Sequence, residues 1–206
     1  MVILLFRGFA TGLVLQLAVG PIFFYVVSIS LQQTITDALI AVAAVTLVDY
    51  LYVLFAVYGV AKFLEKEKIK NIFGNVSAVI VIIFGVYMLG VTFVNQSSVS
   101  LIAKVNPGTI FISAFILTAS NPLTILFWIS LFAARSIQYN DSRNELLLFG
   151  VAAGFSTIFF LGFTVLIISV IKSAIPSYAI KISNIVAALI VIFYGLVQWI
   201  RGFGKS

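Results

Sequence analysis

One carboxylate lies deep inside an apolar segment, and two prolines interrupt other apolar segments of the same chain. Asp49 lies within AVTLVDYLYV, Pro21 within AVGPIFFYVV and Pro122 within TASNPLTILF. A proline inside a helix removes a backbone hydrogen bond and costs about 3 kcal/mol, and an Asp at the centre of a bilayer costs about 2.5–3.5 kcal/mol. Broken helices expose backbone amides and carbonyls, and a carboxylate accepts a cation or a proton. Together these groups suit the binding of a small polar solute or an ion.

The composition indicates which solvent surrounds these groups. The chain has 206 residues, of which 63% are hydrophobic and 9% are charged, whereas soluble domains are about 45–50% apolar and about 25% charged. Cysteine and histidine are both absent, which excludes disulfides, thiolate or imidazole metal ligands and Cys or His nucleophiles. The sequence therefore predicts an all-α integral membrane protein with no catalytic residues, no cofactor and no metal site.

Six apolar segments approach the roughly 20 residues that a spanning helix needs. The N-terminal segment continues past any small-residue cleavage site to about Leu31, so we interpret it as a spanning helix and not as a secretory signal. The predicted spans, with boundaries uncertain by about three residues on general grounds, are 9–31, 38–61, 75–95, 109–133, 146–171 and 182–200.

The distribution of positive charge predicts the orientation of these spans. With six spans, both termini and the loops 62–74 and 134–145 lie on one side, together with nine of the twelve Lys and Arg residues. Cytoplasmic loops carry the excess of Lys and Arg, so both termini are predicted to be cytoplasmic. The same bias accounts for the net charge of +6 without a nucleic-acid partner.

The two halves of the chain resemble each other weakly. VGPIFFYVVSISL (19–31) and SNPLTILFWISLF (120–132) each begin with a small or polar residue and a proline, continue with a bulky apolar run and carry a late serine. Their prolines are 101 positions apart, and a longer loop in the second half increases the offset to 107, which pairs Asp49 with Ser156. Each half holds three spans. The pattern predicts one domain, 1–206, built from inverted repeats of about 1–98 and 105–206.

The interrupted segments and the carboxylate provide the candidate binding residues. Substrate or proton binding is predicted at the two breaks and between them: Gly20, Pro21, Asp49, Asn121 and Pro122. Asp49 would accept an ammonium group or exchange a proton, although a purely structural hydrogen bond is the alternative. Polar residues at similar depth are candidates to line a cavity, although Ser and Thr often bond back to their own helix. They are Gln16, Thr46, Thr118, Ser120, Thr124, Ser156 and Thr157.

Two further patterns predict structure and not chemistry. The pairs Gly8 and Gly12, and Gly150 and Gly154, have the four-residue spacing that permits close approach of helices. Aromatic side chains near the predicted span ends suit interfacial anchoring: Trp128, Tyr139, Tyr178 and Trp199.

Three segments resemble the LysE/RhtB family, the lysine-exporter type of amino-acid translocator. They are GFATGLVLQLAVGPIFFYVVSISL (8–31), AVTLVDYLYVLFAVYG (44–59) and FISAFILTASNPLTILFW (111–128). The resemblance implies export of amino acids or related small metabolites across the prokaryotic cytoplasmic membrane, driven by a proton or ion gradient. It also implies roles for Gly20, Pro21, Asp49, Asn121 and Pro122.

This chain departs from the family pattern at both breaks. Ala18 and Val19 stand where the family usually has a proline-containing turn, and Leu123 stands where a lysine usually follows Asn-Pro. The loss of that lysine leaves open how a substrate carboxylate would be held.

Other functions remain as alternatives. A divalent-cation transporter of the same superfamily would need several hard oxygen ligands, and a membrane enzyme would need paired titratable groups, yet only Asp49 lies deep in a span. A scaffold is a further alternative, whereas the absence of cysteine excludes a thiol electron carrier. The expected partners are the lipid bilayer and a small-molecule substrate, and association into a homodimer stays open.

Overall fold

A computed structural model describes most of the chain: residues 1–16, 20–58, 67–94, 105–121 and 141–203, together with 124–125, 127–129, 131–132 and 135. Within these ranges the chain forms helices and short connections, and no strand occurs in them. The helices are α1 (Val2–Gln16), α2 (Pro21–Gln32), α3 (Ile35–Val57), α4 (Glu67–Val94), α5 (Pro107–Ala119), α6 (Arg143–Ile171) and α7 (Ser177–Phe203). A 3₁₀ turn, Lys172–Ala174, follows α6.

In the part of the chain that the structure describes, three helices are each long and apolar enough to cross a membrane. These segments are Ile35–Val57, Arg143–Ala174 and Tyr178–Val197, and a fourth span results if α1 and α2 count as one broken helix. The axes of α1 and α2 differ by 81°. Large apolar side chains such as Val170 and Phe193 are exposed on these helices, as expected where lipid is the solvent. The chain is therefore an all-helical, multi-pass membrane protein.

The helix α4 begins earlier than the sequence pattern predicts. Residues 67–74 fall in the predicted loop 62–74, yet they form the first two turns of α4. Glu and Lys have high helix propensity, so the helix continues beyond the apolar segment into the polar one.

The helices α3 and α6 both begin with a capping box, a reciprocal pair of hydrogen bonds between side chains and backbone amides. Thr34 precedes α3, and its hydroxyl accepts a hydrogen bond from the amide of Asp37, whose carboxylate accepts one from the amide of Thr34. Ser142 and Glu145 form the same reciprocal pair at the start of α6. Each pair satisfies two amides that otherwise lack a helical partner.

The C-terminal end of α2 is stabilised from another part of the chain. The ammonium of Lys172 donates hydrogen bonds to the carbonyl oxygens of Gln33, at 2.7 Å, and of Ser30, at 3.3 Å. A cation placed at the last carbonyls of a helix also interacts favourably with the helix dipole. This contact fixes the end of α2 against the connection that follows α6.

Glycines bring the helices into close contact, as the four-residue spacing predicts. A Cβ at Gly8 would lie 2.5 Å from the carbonyl oxygen of Phe149, and one at Gly12 would collide with Ala153 and Ser156. The helices α1 and α6 therefore pack backbone against backbone. On another face of the same stretch of α6, Gly150 and Gly154 face the side chains of Val53 and Tyr50 on α3. Gly85 and Gly195 likewise allow α4 and α7 to pack closely.

The apolar interior forms two clusters that meet along α3. The α2 cluster contains buried residues of α2, α4, α5, α6 and α7 together with the first half of α3, through Val45. The Trp128 cluster contains Trp128, Phe132 and Phe149 together with the second half of α3, from Val48 onward. Thr46 and Asp49 are buried polar residues at this junction, so the candidate carboxylate lies where the two apolar clusters adjoin.

Candidate functional site

Both apolar segments that carry an interior proline are interrupted helices. The first helix ends at Gln16, and α2 begins at Pro21 after Gly20, whose backbone is extended with φ −124° and ψ −174°. Proline fits the first helical position because its missing amide would have no helical partner there. The N-cap of α2 is Gly20, which has no side chain that could cap the helix. Pro21 has no amide hydrogen, and the Phe23 amide donates to the Gly20 carbonyl at 3.1 Å. The Ile22 amide is therefore a potential donor to an anionic group.

The second interruption follows α5. The helix ends at Ala119, Ser120 is its C-cap, Asn121 is not helical, and helical residues resume at Thr124. Pro122 and Leu123 lie outside the described residues, as do Ala18 and Val19 of the first break.

Asp49 is buried in a chain of hydrogen bonds that reaches both interruptions. Its Oδ2 accepts a hydrogen bond from the Thr157 hydroxyl at 2.7 Å, and its Oδ1 accepts one from the Trp128 indole Nε1 at 3.3 Å. The Thr157 hydroxyl in turn accepts a hydrogen bond from the Gln16 side-chain amide at 2.6 Å. Gln16 is the last residue of α1, at the first break, and Trp128 lies in the helical residues beyond the second. We call Gln16, Thr157, Asp49 and Trp128 the Asp49 network.

The environment of Asp49 is almost dry, and neither hydrogen-bond partner is charged. The side chain is 4% exposed, and Thr157 is fully buried. A buried carboxylate is costly unless it is hydrogen-bonded and paired with a charge, and Thr157 and Trp128 supply only neutral donors. The site can therefore gain stability from a bound cation or from a proton on Asp49.

Trp128 corrects one prediction from the sequence. Its place near the end of a predicted span suggested an interfacial anchor, yet the side chain is 3% exposed and packs against Phe132 with ring centroids 6.1 Å apart. The hydrogen bond from the indole N–H to Asp49 offsets the cost of burying this polar group. Trp128 follows Asn121 by seven residues in the sequence, a spacing that would place two residues on the same face of a regular helix.

Tyr52 is a second residue that the sequence did not single out. It follows Asp49 by three residues on α3, and its hydroxyl donates to the carbonyl oxygens of Ala119 at 2.9 Å and Thr118 at 3.3 Å. These carbonyls are among the last of α5, and the Thr118 carbonyl also accepts a hydrogen bond from the Asn121 amide at 3.1 Å. The Tyr52 hydroxyl therefore connects α3, the helix that carries Asp49, with the end of α5 at the second interruption.

The other predicted polar residues divide into two groups. Three hydroxyls bond back to carbonyls of their own helix: Thr46 to Val42, Thr118 to Ala114 and Ser156 to Ala153. The residues of the second break differ, because Ser120 is buried, Thr124 is half-buried and Asn121 accepts a long hydrogen bond of 3.4 Å from the Tyr194 hydroxyl. Of the predicted residues, the structure thus joins Asp49, Thr157 and Gln16 directly.

The placement of Trp128 predicts a fluorescence difference. Trp128 and Trp199 are the two tryptophans of the chain, and Trp199 is 39% exposed. The variant Trp199→Phe retains Trp128, and the matched variant Trp128→Phe retains Trp199. Trp128 should emit at shorter wavelength than Trp199 and should be quenched less by aqueous iodide. Adding Asp49→Asn should shift the emission of Trp128 only. Equal quenching of the two variants would contradict the buried position of Trp128.

Comparison with known proteins agrees with these features. A family model described as LysE type translocator matches residues 13–202, which include both interruptions and the Asp49 network. Neither the curated proteins nor the solved structures gave a match to the chain. The match covers most of the sequence, and the chain therefore belongs to the LysE type translocator family, a family of membrane transporters.

Proposed function

We propose that this protein is a secondary active transporter that exports amino acids or related small metabolites across the prokaryotic cytoplasmic membrane, coupled to a proton or ion gradient. The observation that carries the proposal is the Asp49 network, which joins both interrupted segments inside an otherwise apolar interior. Such costly groups in a membrane interior typically mark a substrate path or a proton relay.

The chemistry of an amino acid fits the groups at this site. An ammonium group would bind at Asp49 and compete with the neutral donors Thr157 and Trp128. A carboxylate would bind at the N-terminus of α2, next to Gly20 and Pro21, where the helix dipole favours negative charge. Proton exchange at Asp49 would then couple substrate release to the gradient.

The helix contacts support six spans arranged as two inverted repeats. In this arrangement α1 with α2, α3 and α4 form the first repeat, and α5 with the helical residues after it, α6 and α7 form the second. If the two repeats are equivalent, α1 corresponds to α5, α3 to α6 and α4 to α7. The contact of α1 with α6 then corresponds to the contact of α5 with α3. The pairs α3–α6 and α4–α7 each consist of two equivalent helices. All four pairs are packed in the structure.

The capping pairs support the same repeat and refine its register. Thr34 and Ser142 are 108 positions apart, as are Asp37 and Glu145. This offset is one more than the 107 expected from loop lengths, and it pairs Asp49 with Thr157, 108 residues away. Equivalent residues of two repeats contact each other where the symmetry axis passes between them, so the proposed axis runs through the Asp49 network.

Alternating access would require one side of this site to close while the other opens. With both termini in the cytoplasm, the Trp128 cluster lies between Asp49 and the cytoplasm. On that side Arg135 pairs with Asp141 at 2.6 Å, and its guanidinium lies 4.0 Å from the centre of the Phe149 ring. These contacts support a conformation whose cytoplasmic entrance is closed.

Uptake by inverted membrane vesicles tests the proposal. A pH gradient is imposed so that the interior of the vesicles is acidic. Vesicles that contain the wild-type protein should then accumulate at least one labelled amino acid from a panel of acidic, basic and uncharged types. Two controls are used. One is vesicles without the protein, and the other is protein-containing vesicles in which a protonophore has collapsed the pH gradient. A panel in which no amino acid accumulates above the protein-free control would contradict the proposal.

A further inference from the structure

The helix α2 connects the candidate site with the extracytoplasmic side of the membrane, if both termini are cytoplasmic. It begins at Pro21, at the first break, and ends at Gln32. Its 12 residues span about 18 Å. Its C-cap, Gln33, is followed directly by Thr34, the N-cap of α3. A path from Asp49 to the extracytoplasmic surface would therefore run along α2.

Polar contacts join α2 to α5, α6 and α7, the helices of the proposed second repeat. They connect the Tyr25 hydroxyl with the Ile110 carbonyl of α5 at 3.4 Å, the Ser28 hydroxyl with Asn184 Oδ1 of α7 at 3.0 Å, and the Ser30 and Gln33 carbonyls with Lys172 at the end of α6. We call these contacts the α2 seam. Because the seam joins the two proposed repeats beyond the first break, opening the site to the extracytoplasmic side would require the seam to part.

Lys172 provides the charged contact of the seam. It is the C-cap of α6, and its ammonium donates at 2.7 Å to the Gln33 carbonyl and at 3.3 Å to the Ser30 carbonyl. Ser30 is fully buried, and Gln33 is 8% exposed. Hydrogen bonds from a charged donor are about twice as strong as those between neutral groups. We therefore expect Lys172 to hold α2 more strongly than Tyr25 or Ser28 does.

The contact made by Lys172 is also one that can be released. Among the described residues, no carboxylate forms an ion pair with Lys172, and its side chain is half-buried. Backbone carbonyls are neutral, so water at the membrane surface can replace them without leaving a buried charge unpaired. Lys172 is one of three Lys and Arg residues predicted on the extracytoplasmic side, against nine on the other side, and cations are usually depleted there. A reversible contact with α2 gives this lysine a role.

The helix α6 joins the seam to the Asp49 network. It carries Thr157, which donates to Asp49 at 2.7 Å, and it ends at Lys172. Thr157 and Lys172 lie about 22 Å apart along the helix axis. Gly20 precedes α2, and glycine changes its backbone conformation more readily than other residues. When Lys172 releases α2, the helix can therefore swing at Gly20 away from α6 while α1 stays packed on α6.

We propose that the α2 seam is the extracytoplasmic gate of the transporter and that Lys172 is its latch. Release of Lys172 from the last carbonyls of α2 opens the site outward. The proposal rests on the transport function and orientation proposed above. It deepens that function by naming the residue that controls opening to the extracytoplasmic side.

Labelling of a cysteine at the first break from each side of the membrane tests the latch, because the natural chain has no cysteine. The reporter is Gly20→Cys, and the reagent is a charged, membrane-impermeant thiosulfonate added to intact cells or to inverted vesicles. Lys172→Met removes the donor and retains a side chain of similar length. It should speed labelling of the reporter from outside the cell by about tenfold, the effect of losing a hydrogen bond to a charged group. Labelling from the cytoplasmic side should not increase.

Three control variants separate the latch from a general effect on structure. Lys172→Arg retains a cation and should label like the reporter alone. Lys181→Met removes another lysine of the same side, whose ammonium lies 5.9 Å from the centre of the Phe93 ring of α4, and should leave labelling unchanged. Val81→Cys, at a position of α4 that is 1% exposed, should stay unlabelled when combined with Lys172→Met, whereas a loosened fold would expose it.

Two results would overturn the proposal. One is unchanged labelling of Gly20→Cys from outside when Lys172→Met is added, and the other is an equal increase from both sides. If Lys172→Met does not reach the membrane, Lys172→Gln replaces it. Glutamine retains a neutral donor, so a smaller increase confined to the outer side is expected, and no increase would overturn the latch.

The vesicle assay separates this proposal from the transport function. If the wild type accumulates an amino acid and Lys172→Met leaves labelling unchanged, the exporter stands and the latch fails. If Lys172→Met speeds labelling from outside but no amino acid accumulates, the outward opening stands and the exporter fails.

Discussion

Asp49→Asn is expected to reduce gradient-driven accumulation strongly, because it removes both the group that would exchange a proton and the charge that would bind the substrate ammonium. Asparagine retains the size of the side chain and one acceptor oxygen for Thr157 or Trp128, but it cannot lose a proton or carry negative charge. A hydrogen bond to a charged group contributes about 1.5–3 kcal/mol, which corresponds to about 10- to 150-fold in an equilibrium constant. Accumulation in inverted vesicles should therefore fall by at least about tenfold, as measured with the labelled amino acid that the wild type accumulates.

Two variants distinguish coupling from structure. Asp49→Glu retains a titratable carboxylate and should recover part of the accumulation, whereas Thr157→Val removes the 2.7 Å hydrogen bond without removing the charge. Thr157→Val should retain dependence on the gradient with a changed pH profile. Wild-type accumulation by Asp49→Asn would show that Asp49 does not couple transport to protons.

Gly12→Leu is expected to separate α1 from α6. A side chain at this position collides with the backbone carbonyl of Ala153 and would lie 2.9 Å from the Ala153 Cα, and a backbone cannot rotate aside. Overpacking of this kind costs about 1–3 kcal/mol. Since Gln16 lies one turn farther along α1, its 2.6 Å hydrogen bond to Thr157 should be lost as well. The thermal midpoint of the detergent-solubilised protein should fall, together with transport.

Gly162→Leu is the matched control on α6. Among the described residues, no atom lies within 4 Å of a Cβ at this position, so we expect the added side chain to enter lipid, and the loss of glycine favours the helix. Its thermal midpoint should equal or exceed that of the wild type. If Gly12→Leu were as stable as Gly162→Leu, the close packing of α1 on α6 would be wrong.

The sequence predicts much of this fold because most of its features are local. Apolar length, the charge distribution and Thr34 or Ser142 before a helix depend on neighbouring residues only. The four-residue glycine spacing also predicts close contacts, and the structure places Gly8 and Gly12 against α6. The start of α4 at Glu67 was harder to predict, because helix propensity extends the helix beyond its apolar segment.

The site was only partly predictable, because hydrogen-bond partners depend on tertiary packing. Asp49 is conspicuous as a charge in an apolar segment, and Thr157 and Gln16 were candidates by depth alone. Nothing local distinguishes Thr157, which bonds to Asp49, from Thr46, which bonds back to Val42. Trp128 was wrongly interpreted as an anchor, since an aromatic residue near a span end suits both an interface and a buried hydrogen bond.

In the proposed transporter, two interrupted helices and the Asp49 carboxylate meet at a site that is nearly dry in this structure and that water reaches when the transporter opens to one side of the membrane. Reaction of single cysteines with a small charged thiosulfonate, applied from both sides of the membrane, tests this claim most directly. Gly20→Cys and Asn121→Cys report on the two breaks, with Val14→Cys and Ile116→Cys as exposed apolar controls on α1 and α5. We expect labelling at both breaks and protection at both controls. Break positions as unreactive as the controls would contradict this claim.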